Sequence, residues 1–418
     1  MRFFIFPQGD AGVKPTPVGK RMSPKLEFSS KARVASVDAL RGAVMIIMAL
    51  DHTREFFHSG AMSSSPEDLT RTTAVLFFTR WITHFCAPVF MLTAGIGAFF
   101  WLRRGRTKNQ LAHFLWTRGL WLVVLELTVL RLAMNFSLMT GIVLLSILWA
   151  LGWSMVALGF LFRLPVGVLA TLSIAVISGH NLADKVMASE FGSFAFVWNI
   201  LHQPGVFRVG EVPVLAAYPL VPWVAVMALG FCLGQILTLD PRERRWWLVR
   251  IGLSVSAAFL LIRAINGYGD PVPWSSRVPG MTLLSFLRCT KYPPSLDFLL
   301  MTLGPALLLL VWFDRLTFQR TNPLIVFGRV PLFYFLVHLF VIHGLTIPFA
   351  LVQYGHAGFL LNPLPSLGGL AKLYPPDYGY PLWVVYPVWI AIVALLYPLC
   401  LWFSRLKERR SDWWLSYL

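Results

Sequence analysis

Charge is scarce in this chain: only 13% of its 418 residues are Asp, Glu, Lys or Arg, against a hydrophobic share of 57% and a mean hydropathy of +0.66. Soluble domains carry about 25% charge, so a soluble globular protein is excluded. Apolar segments recur along nearly the whole chain, and no polar run is left that is long enough to bury a soluble core of its own. Cysteine is sparse. Cys86, Cys232, Cys289 and Cys400 are scattered, three of them inside apolar segments. That pattern supports neither a disulfide framework nor a metal knuckle, so they read as packing residues and no metal is expected. No internal repeat is visible, which weakens a transporter built from two related halves. Acidic residues are the rarer sign, 19 against 36 basic ones, for a net charge of +17.

What remains is an all-α polytopic membrane protein. A hydrocarbon core of about 30 Å needs about 20 apolar residues per helix. Ten segments qualify: 38–58, 74–101, 111–133, 138–161, 164–180, 214–237, 246–265, 294–313, 323–350 and 382–403. Before them, MRFFIF is too short for a secretory signal, and the polar, basic stretch that follows reads as a disordered cytoplasmic lead over residues 1–33, with Met22 as an alternative start. The membrane domain is expected over 34–405, followed by a cytoplasmic tail over 406–418.

Charge sets the orientation. One set of turns holds the lead, RRGRTK (103–108), Arg163, RERR (242–245), DRLTFQR (314–320) and RLKERR (405–410), with twenty-one Lys or Arg in all. The other set, loops 59–73, 134–137, 181–213, 266–293 and 351–381, holds seven. By the positive-inside rule the first side is cytoplasmic, which puts both termini inside. Membrane lipids are the expected partners of this basic face. Nucleic-acid binding is not expected, because the cations are spread over six short turns. The outer loops 181–213 and 351–381 are rich in aromatics, Pro and Gly, which suits an interfacial belt or a lid over an outward pocket.

The first segment, VDALRGAVMIIMALDHTREFFH, ends in a cluster of ionisable residues. Asp38 and Arg41 mark its cytoplasmic entrance. Eleven residues separate Arg41 from His52, about 16 Å of helix rise, and the rotation returns them to nearly one face. Asp51, Arg54 and His58 share a face, and Glu55 lies three residues from both His52 and His58, where it could hold either imidazole in one tautomer. Buried ionisable groups in a membrane helix cost several kcal/mol unless they work or pair. A histidine here suits a general base, a proton relay or a haem ligand, and position alone does not choose. His84, just before Pro88, and Tyr334, His338 and His343 on the ninth segment add polar groups within the membrane, as do Glu126, Arg131 and Asp297.

At these residues a resemblance enters. The runs SVDALRGAVMIIMALDHTREFFH, TRWITHFCAPVFMLTAG, KYPPSLDFLLMTLGP and FGRVPLFYFLVHLFVIH resemble the bacterial branch of the heparan-α-glucosaminide N-acetyltransferase catalytic-domain family, over roughly residues 33–405. The pattern of Asp38, Arg41 and His52 is more distantly similar to the acyltransferase-three proteins. The resemblance implies a multi-helix enzyme that uses cytoplasmic acetyl-CoA, or another acyl-CoA, to acylate a sugar or glycan amine or hydroxyl across the membrane. Its active-site histidine corresponds to His52 or His58. Gly328 and His338 also match, while the large lumenal N-terminal domain of the lysosomal members has no counterpart.

The residues suit that chemistry. An acyl transfer needs a base for the acceptor proton, and a neutral histidine serves at pH 7. We therefore expect the catalytic group among His52, His58, Asp51, Glu55 and His338, with His52 preferred, and CoA phosphates held by Arg41, Asp38, Arg329 and Arg104. The expected setting is the plasma (inner) membrane, possible partners include a second copy as homodimer, and the acceptor is a carbohydrate. A proton-coupled transporter or flippase is the alternative. A haem carrier ranks last, since no pairing of histidines on facing helices is evident.

Overall fold

The structure, a computed structural model, describes residues 34–417 apart from 63, 139–140, 277–279, 366–368 and 411. The disordered lead expected over 1–33 lies outside the described residues. The elements run in the order α1 (Ala35–Phe57), α2 (Ala74–Trp81), α3 (Cys86–Arg103), α4 (Lys108–Leu125), α5 (Arg131–Asn135), β1 (Val143–Leu145), α6 (Ile147–Leu161) and α7 (Val166–Gly179). They continue as α8 (Ala195–Leu201), β2 (Gly205–Val209), β3 (Val212–Ala216), α9 (Leu220–Ile236), α10 (Pro241–Ile265), α11 (Thr282–Leu287), α12 (Leu296–Asp314), α13 (Pro323–Arg329), α14 (Pro331–Tyr354) and α15 (Leu382–Arg409).

Each of the ten apolar segments contains a helix. Six helical stretches are long and apolar enough to cross a membrane: 74–103, 166–183, α10, α12, α14 and α15. Two more, α6 and α9, are apolar but shorter. The long α1 carries Asp38, Arg41, Asp51, Arg54 and Glu55. Large apolar side chains such as Leu260, Leu261 and Ile265 on α10 and Ile390 and Leu395 on α15 face outward, as they do on helices whose surroundings are lipid.

Local sequence explains most boundaries. Asp240 and Asn322 precede helices that open with proline, where the missing N–H costs nothing, and Asn322 also accepts from the Leu324 N–H. Thr107 and Gln110 form a reciprocal capping box on α4. Pro331 splits the expected ninth segment into α13 and α14, because the residue before a proline is pushed out of the helical region and Val330 sits at φ −126°, ψ 46°. A 3-10 turn over Ile82–Phe85 joins α2 to α3, three residues before Pro88.

Among the described residues one sheet stands beside the helices. β3 pairs in parallel with β1 and antiparallel with β2 in a three-stranded sheet of order β1-β3-β2. β1 and β3 occupy parts of segments read as helix from 138 and from 214, since a short apolar run such as VLL or VPVLA cannot be told from the helix it adjoins by hydrophobicity alone.

At the centre is α1, which packs against α3, α12, α13, α14 and α15. Glycine allows its closest approach. A Cβ on Gly42 would meet the Leu324 carbonyl oxygen at 1.8 Å, and one on Gly328 the Asp38 carbonyl oxygen at 1.8 Å, so α1 and α13 touch backbone to backbone. That contact fixes the Arg41 end of α1.

Candidate active site

His52 lies on α1 one turn before the helix end, and His338 lies on α14, fully buried. Their rings meet: His52 Nδ1 is 2.7 Å from His338 Nε2. The other nitrogen of His338, Nδ1, is 3.0 Å from the Tyr334 carbonyl oxygen. A carbonyl only accepts, so Nδ1 of His338 carries the proton, and with His338 neutral its Nε2 accepts from His52 Nδ1–H. The lone pair of His52 is then on Nε2. The spacing of the sequence offers Glu55 as an orienting partner for either imidazole; in the structure His338 is the partner of His52, and Glu55 approaches Arg54, at 3.6 Å. The pairing of histidines on facing helices, not evident from sequence, is therefore present, but a 2.7 Å contact leaves no room for an iron between rings that would need two bonds of roughly 2 Å.

His52 lines a cavity of about 400 Å³ together with Asp51, Glu55, Arg80, Lys291 and Tyr292. Asp51 holds two cations, Arg54 at 3.0 Å and Arg80. From Arg80 the network runs to Glu67, whose Oε1 is 3.2 Å from Arg80 Nε and 2.9 Å from His84 Nε2. Burial works against the charge of Glu67, in the loop after α1, but His84 and Arg80 outweigh it and hold the carboxyl well below the usual carboxylate range. A buried charge needs such partners, which is why Asp51 reads as the anchor of this network. Lys291 stands over the Tyr292 ring, 5.1 Å from its centroid. Glu126 also borders the cavity, yet its oxygens accept from the N–H groups of Ser146, Leu148 and Trp149, so it caps α6.

A second cavity of about 260 Å³ is lined by Arg41, Thr93, Trp101, Phe114 and Arg118, and it borders Phe90, Ile147 and Phe335, which border the first cavity as well. Those three side chains thus separate an Arg41 compartment from the His52 compartment. Phe335 stands edge-on to His52 with ring centroids 6.3 Å apart. Arg41 is steadied by the Gly328 carbonyl at 3.0 Å and by Asp38 at 3.4 Å.

Of the residues singled out from sequence, His52, Asp51 and Glu55 line one cavity and Arg41 the other, with His338 and Asp38 directly behind them. Three line neither cavity. His58 caps α1 and accepts from the Gly60 N–H at 3.1 Å, Arg329 pairs with Glu408 at 2.5 Å and also lies 4.0 Å from Asp38, and Arg104 is the exposed residue that follows α3. His343 lies between the carbonyls of Ala133 and Leu360, at 2.9 and 3.0 Å, a packing role. Arg80, Arg118 and Lys291 were not singled out. For the two arginines the signal was present, a cation inside an apolar helix; for Lys291, in the loop before α12, nothing in the sequence marked it.

A helical membrane protein with a histidine pair, His338 buried and His52 half-buried, beside the first of two adjoining compartments is thus defined by the fold and the site. The family model described as "Heparan-alpha-glucosaminide N-acetyltransferase, catalytic" matches residues 33–263, more than half of the chain. The chain belongs to this membrane acetyltransferase-like family. The match takes in α1 to α10, with His52, Arg41, Arg80 and Arg118, and stops before Lys291 and His338. No curated protein matches the chain.

Proposed function

We propose that the protein transfers an acyl group, acetyl in the first instance, from acyl-CoA on the cytoplasmic side to an amine or hydroxyl of an extracytoplasmic sugar or glycan. The observation that carries the reading is the oriented His52 imidazole in one compartment, set against an arginine-bearing compartment across a wall of three apolar side chains. We place ten crossings and both termini in the cytoplasm of a bacterial inner membrane, on the charge asymmetry of the turns.

In this reading Arg41 and Arg118 attract the phosphates of CoA, and its thin pantetheine arm brings the thioester to the wall at Phe335. His52 Nε2 takes the proton from the acceptor N–H or O–H as that atom bonds to the thioester carbonyl carbon. The oxyanion that develops faces the cations of the outer compartment, Lys291 and Arg80. When the C–S bond breaks, the proton on His52 passes to the departing sulfur, leaving acetylated acceptor and free CoA. Throughout, His338 keeps the ring in place and accepts from Nδ1–H.

Purified protein in detergent or nanodiscs is expected to consume acetyl-CoA in the presence of an amino-sugar acceptor, with free thiol and acetylated product measured together. His52→Ala should lower the rate by about 10²-fold to 10⁴-fold while eluting as the native protein does on size exclusion. Full activity in that variant would remove His52 from the mechanism, and thiol release without acetylated product would sink the acceptor assignment.

A further inference from the structure

Away from both cavities, His180, Asp184 and His202 converge. Each offers one ligand atom, and these atoms all lie within 4.8 Å of one another. His180 and Asp184 stand at the two ends of the turn that follows α7, and His202 closes α8, eighteen positions beyond Asp184. Both imidazoles are buried, at 7% and 4% exposure. Neither ring nitrogen of His180, nor Nε2 of His202, makes a hydrogen bond of ordinary geometry among the described residues. An unsatisfied buried polar atom is costly and calls for an explanation.

The geometry points to a binding site for a divalent transition ion of the zinc type, held by His180, Asp184 and His202. The His202 Nε2 to Asp184 Oδ1 separation is 3.3 Å, long for a charge-assisted hydrogen bond, but about the edge of a tetrahedron whose metal–ligand bonds are about 2.0–2.1 Å. Two histidines and one carboxylate form a zinc ligand set, with a fourth position left to water. The surrounding groups orient the ligands. Asn181 Nδ2 donates to Asp184 Oδ2 at 2.8 Å, which leaves Oδ1 for the metal, and Asn181 Oδ1 accepts from the Leu296 N–H at 2.9 Å. Closing the cluster onto an ion takes side-chain shifts on the order of 1 Å from the present spread.

Such an ion would staple the end of α7 to α8 and hold the strand pair that follows. Pro204, Leu215 and Tyr218 of that region line the His52 cavity, so the metal would fix one wall of it without touching the reacting atoms. Chain sequence hides this site, because only the fold brings His202 to a turn built around His180 and Asp184.

The test uses Zn²⁺ and Co²⁺ alone on the full-length protein after chelation. Native protein is expected to rebind one Zn²⁺ per chain, to show the intense visible absorption of tetrahedral Co²⁺, and to gain thermal stability with Zn²⁺. Asn181→Ala should weaken binding by about 10-fold to 100-fold, and the double variant His180→Ala/His202→Ala should abolish the stoichiometric site. Asp184→Asn preserves size and the contact with Asn181; it serves should the double variant fail to fold, and it should also weaken binding. Equal Zn²⁺ binding by native protein and Asp184→Asn, or no stoichiometric binding by native protein, would overturn the site.

Discussion

His52 owes its protonation pattern to a residue 286 positions away: His338 fixes which nitrogen is basic by committing its own Nδ1 proton to the Tyr334 carbonyl. If the proposed base is right, removing that partner should disturb the reaction more than the fold. His338→Phe is expected to lower kcat by about 10²-fold or more while leaving KM for acetyl-CoA nearly unchanged, with the acid limb of the pH–rate profile displaced because His52 has lost its acceptor. A steady-state pH profile checks this, and a change confined to KM would assign His338 to binding instead. At this scale the sequence is informative about presence and poor about partnership. Asp51, His52 and Glu55 stand out because they interrupt an apolar run, which is costly without a reason. That Asp51 pairs with Arg80, 29 positions on, and that Glu55 does not hold an imidazole, depends on packing the chain reveals only when folded.

The helices place these side chains through two kinds of contact, backbone touching and capping. Gly42 and Gly328 let α1 and α13 meet without side chains between them, and Arg41 donates to the very carbonyl of Gly328. Gly42→Ala should force the two helices apart at a cost of about 1–3 kcal/mol, seen as a lower thermal midpoint, and should raise KM for acetyl-CoA as Arg41 loses that acceptor. An unchanged midpoint would mean that the contact relaxes freely. Element existence was readable from the apolar runs, all ten of which contain helix. Their interruptions were not: Pro331 breaks one run into two helices, and β1 and β3 take the starts of two others, where a strand's short apolar stretch has no boundary of its own against the helix that follows.

In the proposed topology, charge and cavities are arranged along one line across the membrane. That topology assigns the basic turns, Arg41 and Arg118 to one side and His52, Lys291 and the long loops to the other. Between them are Phe90, Ile147 and Phe335. A transferase that moves an acyl group across this line has to pass the thioester while keeping water from reaching it first, since exclusion of water protects reactive groups from hydrolysis. Phe335 is the side chain best placed for that, because it borders both cavities and its ring approaches those of His52 and His338, with centroids 6.3 and 5.7 Å away. Truncation to Phe335→Ala would join the compartments. We expect acceptor-independent hydrolysis of acetyl-CoA to rise several-fold in this variant and the ratio of acetylated product to thiol released to fall, whereas Phe335→Leu, which refills most of the volume, should restore coupling. Thiol release measured with and without acceptor separates the outcomes: if Phe335→Ala stays fully coupled, the wall between the compartments is not what protects the thioester, and the path from Arg41 to His52 has to be drawn by another route.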